Sequence, residues 1–123
     1  MKGFARFQRK ERIDDEALLR AVHEADDGLV HAYLGNGLIK QRVARRGAGK
    51  RGGYRTVIAF RRSARAVFLL GFAKSERDNI ADDELDEMRQ QAKVILSLSQ
   101  EQIAAMVAGG DMMEVNDEQD EKG

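Results

Sequence analysis

Val30-His31-Ala32-Tyr33-Leu34-Gly35-Asn36-Gly37-Leu38-Ile39-Lys40-Gln41-Arg42-Val43 is the stretch that decides the fold. Apolar Val30, Ala32 and Leu34 alternate with His31 and Tyr33, the period of a half-buried strand. Asn36-Gly37 then supplies the two residues of a tight hairpin turn, since both tolerate positive φ. The returning strand carries Ile39 and Val43 on one face and Lys40 and Arg42 on the other. A hairpin that sets two cations side by side on a sheet face raises a functional question at once.

The surrounding sequence repeats the theme. Residues 38–77 hold twelve basic residues and one acid, Glu76, while residues 78–123 hold three basic residues and thirteen acids. The formal net charge of zero therefore hides a strongly dipolar chain. Residues 45–53, with four glycines and Arg45, Lys50 and Arg51, read as a flexible basic loop. This is not a phosphate-binding P-loop, which needs Gly-Lys-Ser/Thr opening a helix. Strand 54–61 follows, with Tyr54, Thr56, Ile58 and Phe60 on one face and Arg55, Val57 and Ala59 on the other. Residues 62–64 form a turn. Strand 65–73 is apolar on both faces and reads as a central strand covered on both sides.

Helices flank the sheet. Phe4 and Phe7, then Leu18, Val22 and Ala25, show helical spacing, so residues 3–27 read as a helical hairpin ending at Gly28. After residue 77, Leu85, Met88, Ala92 and Ile95 make an apolar stripe with Asn79 or Asp82 as the cap. Ser99 with Gln102 is a capping box for a last helix that stops at Gly109-Gly110. Residues 112–115 pack on the core or add a short strand. Residues 116–123, polar and acidic, are expected to be disordered. The result is one α+β domain over residues 1–115: an N-terminal helical hairpin, an antiparallel sheet of about four strands, and C-terminal helices.

Composition narrows the chemistry. Among 123 residues there is no cysteine, hence no disulfide and no thiolate metal site. No run approaches the ~20 apolar residues of a membrane span, and Met1 to Arg6 lacks the apolar stretch of a secretory signal. The expected location is cytoplasmic, with no membrane partner, no metal and no cofactor. The acids at residues 82–87 suit a helix N-terminus. His23 reads as a surface or packing residue. For His31, opposite the apolar face of its strand, a role at the site and a plain surface position both stay open.

What remains is arginine, lysine and tyrosine on a sheet, the footprint of a nucleic-acid binder. Lys40, Arg42, Arg45, Lys50, Arg51, Arg55 and Arg77 can meet phosphates, and Tyr54 or Tyr33 can stack on a base. RNA cleavage by the neighbouring 2′-hydroxyl needs a base, charge stabilisation at phosphorus and a proton for the leaving oxygen. Arginine supplies the second. Lys40 can act as the base if its cationic neighbours lower its pKa from about 10.4.

Three ordered motifs carry a resemblance: Gly37-Leu-Ile-Lys-Gln-Arg-Val-Ala-Arg45, Gly49-Lys-Arg-Gly-Gly-Tyr-Arg55 and Gly71-Phe-Ala-Lys-Ser-Glu-Arg-Asp-Asn-Ile80. The chain resembles the RelE/ParE superfamily of toxins from type II toxin–antitoxin modules, and within it the RelE/HigB-like branch. The resemblance implies a microbial-ribonuclease-like α+β fold and ribosome-dependent mRNA endoribonuclease activity that inhibits translation. It also implies a cognate antitoxin, often of helix-turn-helix type, with mRNA and the ribosome as further partners. By motif position Lys40, Arg55 and Lys74 would be catalytic, with Arg77 in the same basic motif. The general acid has no assignment by motif: Ser75 stands where the RelE pattern has arginine and Ala81 where it has tyrosine, leaving Lys74 or Tyr54. Two alternatives stay open, a ParE-like gyrase inhibitor and a non-catalytic RNA- or partner-binding module.

Overall fold

The computed structural model describes residues 2–45, 49–74, 79–112 and 115. The elements run α1 (Lys2–Glu11), α2 (Asp15–Asp26), β1 (Ala32–Gly35), β2 (Leu38–Arg45), β3 (Gly49–Arg61), β4 (Arg65–Ala73), α3 (Asp82–Ser97) and α4 (Gln100–Ala108). The strands form one antiparallel sheet in the order β1-β2-β3-β4. This is the expected α+β arrangement, consistent with a RelE-like fold.

Local chemistry explains the boundaries. Asn36 and Gly37 have φ of 55° and 82°, so the two-residue turn has the twist that suits a hairpin. Gly28, at φ 88°, closes α2 with its N–H donating to Ala25 O. The capping box of α4 is complete: Gln102 N donates to Ser99 Oγ at 3.0 Å, and Ser99 N to Gln102 Oε1 at 2.8 Å. The first residue before α3 is Ala81, without a side-chain cap bond, so neither Asn79 nor Asp82 caps it as the sequence suggested. The acids Asp82, Asp83 and Glu84 in its first turn favour the helix dipole instead.

Helices pack on both sheet faces, as the two apolar faces of strand 65–73 suggested. On the first face α1 and α2 bring Phe4, Ile13, Leu18 and Ala21 against Val43, Tyr54 and Ala73, and Ala25 against Ile39 and Ile58. On the second face α3 lays Met88, Ala92 and Ile95 on Leu38, Val57 and Ala59. Each fully buried Leu, Ile or Val contributes roughly 1.5–3 kcal/mol. The face that carries Lys40, Arg42 and Arg55 is therefore shared with α3 rather than wholly given to basic side chains.

Two strand expectations also change. Strand β4 is apolar on both faces but lies at the sheet edge, and the central long strand is β3. Its two apolar faces are explained by α1 on one side and α3 on the other. Residues 45–53 are mostly strand: β2 runs to Arg45, β3 begins at Gly49, and these two residues pair. The expected loop shrinks to residues 46–48, which lie outside the described residues, as do 116–123 with their expected disorder. Met112 is buried and Val115 packs on the α1–α2 core.

Gly71 of β4 marks a close approach. A β-carbon there would overlap the Phe7 ring and come 2.9 Å from Phe4 Cε1. Those rings dock α1, with Phe4 stacked at 4.9 Å on Phe68. Gly71→Val is expected to lower stability by about 1–3 kcal/mol through overpacking. Urea unfolding followed by far-UV circular dichroism measures it.

Candidate nucleic-acid interface

Strand alternation builds the site. On β2, Leu38, Lys40 and Arg42 share one face; on β3, Arg55, Val57 and Ala59 share the same face. Register pairs Lys40 with Val57 and Arg42 with Arg55. Helix α3 packs over Leu38, Val57 and Ala59 and covers one end of this face. At the other end stand Lys40, Arg42 and Arg55. Lys74 follows Ala73, whose side chain is in the α1–α2 core, so alternation turns Lys74 toward the cationic side. Its N–H donates to Gly53 O at 3.5 Å, carrying the β3–β4 pairing one step further.

These cations differ in exposure. Lys40 is half-buried, while Arg42 and Lys74 are exposed. Arg55 is only 6% exposed. The direct Arg42–Arg55 pairing sets like charges opposite each other, an arrangement that weakens a sheet. The accessible positive charge of this patch comes from Arg42 and, in part, from Lys40.

Several arginines of the basic block do structural work instead. Arg65 Nη1 donates to Ile95 O at 2.8 Å and to Leu98 O at 2.7 Å. Arg61 Nη2 donates to Leu96 O. These guanidiniums meet the orphan carbonyls at the C-terminal end of α3, where positive charge is favoured. Arg62 Nε donates to Asp26 O at 2.7 Å, tying the β3–β4 turn to α2. The block therefore splits into a cationic surface and a set of clamps.

Tyr54 does not join the cationic cluster. It is 3% exposed on the opposite face, in edge contact with Phe7 at 5.5 Å, and its hydroxyl donates to Glu11 Oε1 at 3.2 Å. In this structure it is a packing residue, where the sequence reading had it meet RNA. Tyr33, 75% exposed on edge strand β1, is the accessible aromatic. The side chains of Arg45, Lys50 and Arg51, and the whole of Arg77, lie outside the described residues.

His31, which the sequence placed on a strand, lies at an exposed bend just before β1 and senses the charge of the cluster. Its imidazole pKa is lowered from the ordinary 6.5, first by burial, then by the charges of Arg42, Lys40 and Arg55. The legible signal was the Asn36-Gly37 turn. Counting back from it folds His31 alongside residues 41–42. A groove of about 530 Å³ lined by Leu19, Val22, Phe68, Ile103 and Val107 lies by α1, α2 and α4, and is mainly apolar.

The family model described as the RelE toxin of the RelE/RelB toxin–antitoxin system matches residues 1–115. No curated protein matches, and no solved structure does. The clamp reading has its own consequence: Arg65→Met, which keeps the apolar stem, is expected to cost about 1.5–3 kcal/mol for its lost charged hydrogen bonds. Thermal unfolding of that variant checks it.

Proposed function

This chain belongs to the family of RelE toxins of toxin–antitoxin systems, and on that premise we propose that it is a ribosome-dependent mRNA endoribonuclease that arrests translation. The observation that carries this reading is the half-face beyond α3, where exposed Arg42 and half-buried Lys40 stand together over buried Arg55 and exposed Lys74 sits at the rim. Cleavage by the 2′-hydroxyl crowds negative charge onto phosphorus. Preorganised cations lower that barrier because they are already in place when the charge develops.

The roles follow from position. Exposed Arg42 offers its fork to two phosphate oxygens. Lys40, half-buried beside it, supplies a point charge on the same phosphate group. Arg55 lies beneath as a fixed positive charge, since guanidinium does not lose its proton. Lys74 extends the track at the end of β4, and Arg45, Lys50, Arg51 and Arg77 are proposed to hold the flanking strand. No helix of the described residues is long and apolar enough to cross a membrane.

Family membership implies a cognate antitoxin. We assign it to the helix-turn-helix type, and we place the action of the toxin in the cytoplasm, where translating ribosomes are found.

Brief induction in bacteria, followed by mapping of new mRNA 5′ ends, tests the reading. Cuts confined to translated messages are expected, and a message lacking its start codon should stay whole. Lys40→Ala combined with Arg42→Ala should abolish the cuts with an unchanged circular dichroism spectrum, because neither residue is in the core. Growth arrest with intact mRNA, or with gyrase-linked DNA breaks, would contradict the proposal.

A further inference from the structure

A second cationic surface lies on the other side of the sheet. Residues 1–12 hold Lys2, Arg6, Arg9, Lys10 and Arg12 against one acid, Glu11, and the acids that open α2 hide this excess in the sequence. We propose that the outer face of α1 docks on ribosomal RNA, with Arg6, Arg9 and Lys10 meeting its phosphates while the message lies across Lys40 and Arg42. The inference rests on the ribosome-dependent reading and adds the surface by which the ribosome itself is held.

Helical spacing sorts α1 into two faces. Phe4, Phe7, Gln8 and Glu11 share one side, and Arg6, Arg9 and Lys10 share the other. The first side is used by the fold. Phe4 packs on Phe68 of β4, Phe7 meets Tyr54 edge-on, and Glu11 accepts from the Tyr54 hydroxyl. Gln8 Nε2 donates to Ile13 O at 3.0 Å and to Asp15 Oδ1 at 2.7 Å, holding the turn into α2. The second side is exposed. Arg6, Arg9 and Lys10 enter no ion pair among the described residues. Acids around the turn have partners of their own: Asp15 accepts from Gln8, and Glu16 pairs with Arg20 at 3.7 Å. Arg12, exposed at φ 56°, continues the positive charge past the end of the helix.

Position separates this stripe from the message site. Helix α1 packs on the face that holds Val43, Tyr54 and Ala73, whereas Lys40 and Arg42 share the α3 face. The sheet and a helix about 10 Å across stand between the two cationic surfaces. An enzyme that cuts message only on the ribosome needs a hold on the ribosome apart from its hold on the message.

The chemistry favours RNA over a protein or a lipid surface. Arginine forks match phosphate oxygens. Protein interfaces are anchored by buried aromatic and apolar side chains, and the exposed large apolar side chains of the described residues, Leu29, Tyr33 and Val94, are not on α1. Phe4 and Phe7 pack inward, so α1 has no apolar side left for a bilayer. The helix dipole accounts for Arg9 and Lys10, in the last turn, but not for Arg6.

The test is equilibrium sedimentation with ribosomes, vacant or carrying a 2′-O-methylated message, across about 50–200 mM KCl. Log affinity falls with log salt by roughly 0.7–0.9 for each cation that meets a phosphate. Arg6→Gln combined with Arg9→Gln should make that slope shallower by about 1.4–1.8 and weaken binding to both ribosome preparations. Lys10→Gln alone should remove about half as much. Lys93→Glu, on the exposed side of α3, changes the net charge as much as the double variant and should leave the slope unchanged. Gly3 shares the face of Arg6 and Lys10, and a β-carbon there meets nothing within 4 Å. Gly3→Cys gives this cysteine-free chain a single thiol, and an azidophenacyl group on it should cross-link to ribosomal RNA. An unchanged slope in both stripe variants, with wild-type cleavage intact, would overturn the inference alone. An equal loss of slope in Lys93→Glu would overturn it as an effect of net charge, and a cross-link confined to ribosomal protein would overturn it in favour of a protein partner. Failure of wild type to bind either ribosome preparation would overturn the ribosome-dependent reading and this inference together.

Discussion

Register in the β1–β2 hairpin is the constraint on which the rest depends. Asn36 and Gly37 both sit at positive φ, and a β-carbon on Gly37 would also collide with Leu96 of α3. That turn places Leu38 on the same face as Lys40 and Arg42, one apolar residue beneath α3 and two cations beyond it. Because side chains alternate with a period of two, a one-residue slip would bury both cations under α1 and α2. It would expose Ile39 and Val43 at the same time. The hydrophobic core and the site therefore enforce the same register.

The second face is divided by where α3 lies. Its stripe of Met88, Ala92 and Ile95 packs on Leu38, Val57 and Ala59, while Arg42 stays exposed and Lys40 half-buried beyond it, over buried Arg55. The clamps Arg61 and Arg65 hold the C-terminal end of that helix in place. Cations of one sequence block thus do two jobs on one sheet. Some neutralise helix-end carbonyls, and others stand uncovered as a surface for anions.

Much of this was legible in the sequence. The Asn36-Gly37 turn, the alternation in β2 and β3, the Leu85–Ile95 stripe and the Ser99–Gln102 box are local signals, and local physics governs them. What was less legible is tertiary. Residues 65–73 read as a central strand because they are apolar on both faces, yet an edge strand sandwiched between α1 and α3 has the same pattern. Tyr54 read as available for stacking because its alternation was clear but the helices covering its face were not. Nothing in the spelling of Arg61 and Arg65 separates a clamp from a phosphate ligand. That distinction exists only once the end of α3 is in place.

The most direct test of the central claim is a structure of this chain on a ribosome whose A-site codon carries 2′-O-methyl groups, which block attack and trap the uncleaved message. The account expects messenger phosphates within hydrogen-bonding distance of Lys40 and Arg42, with α1 and α2 turned away from the message. A complex in which the message lies on the α1–α2 side, with Lys40 and Arg42 facing solvent, would contradict it.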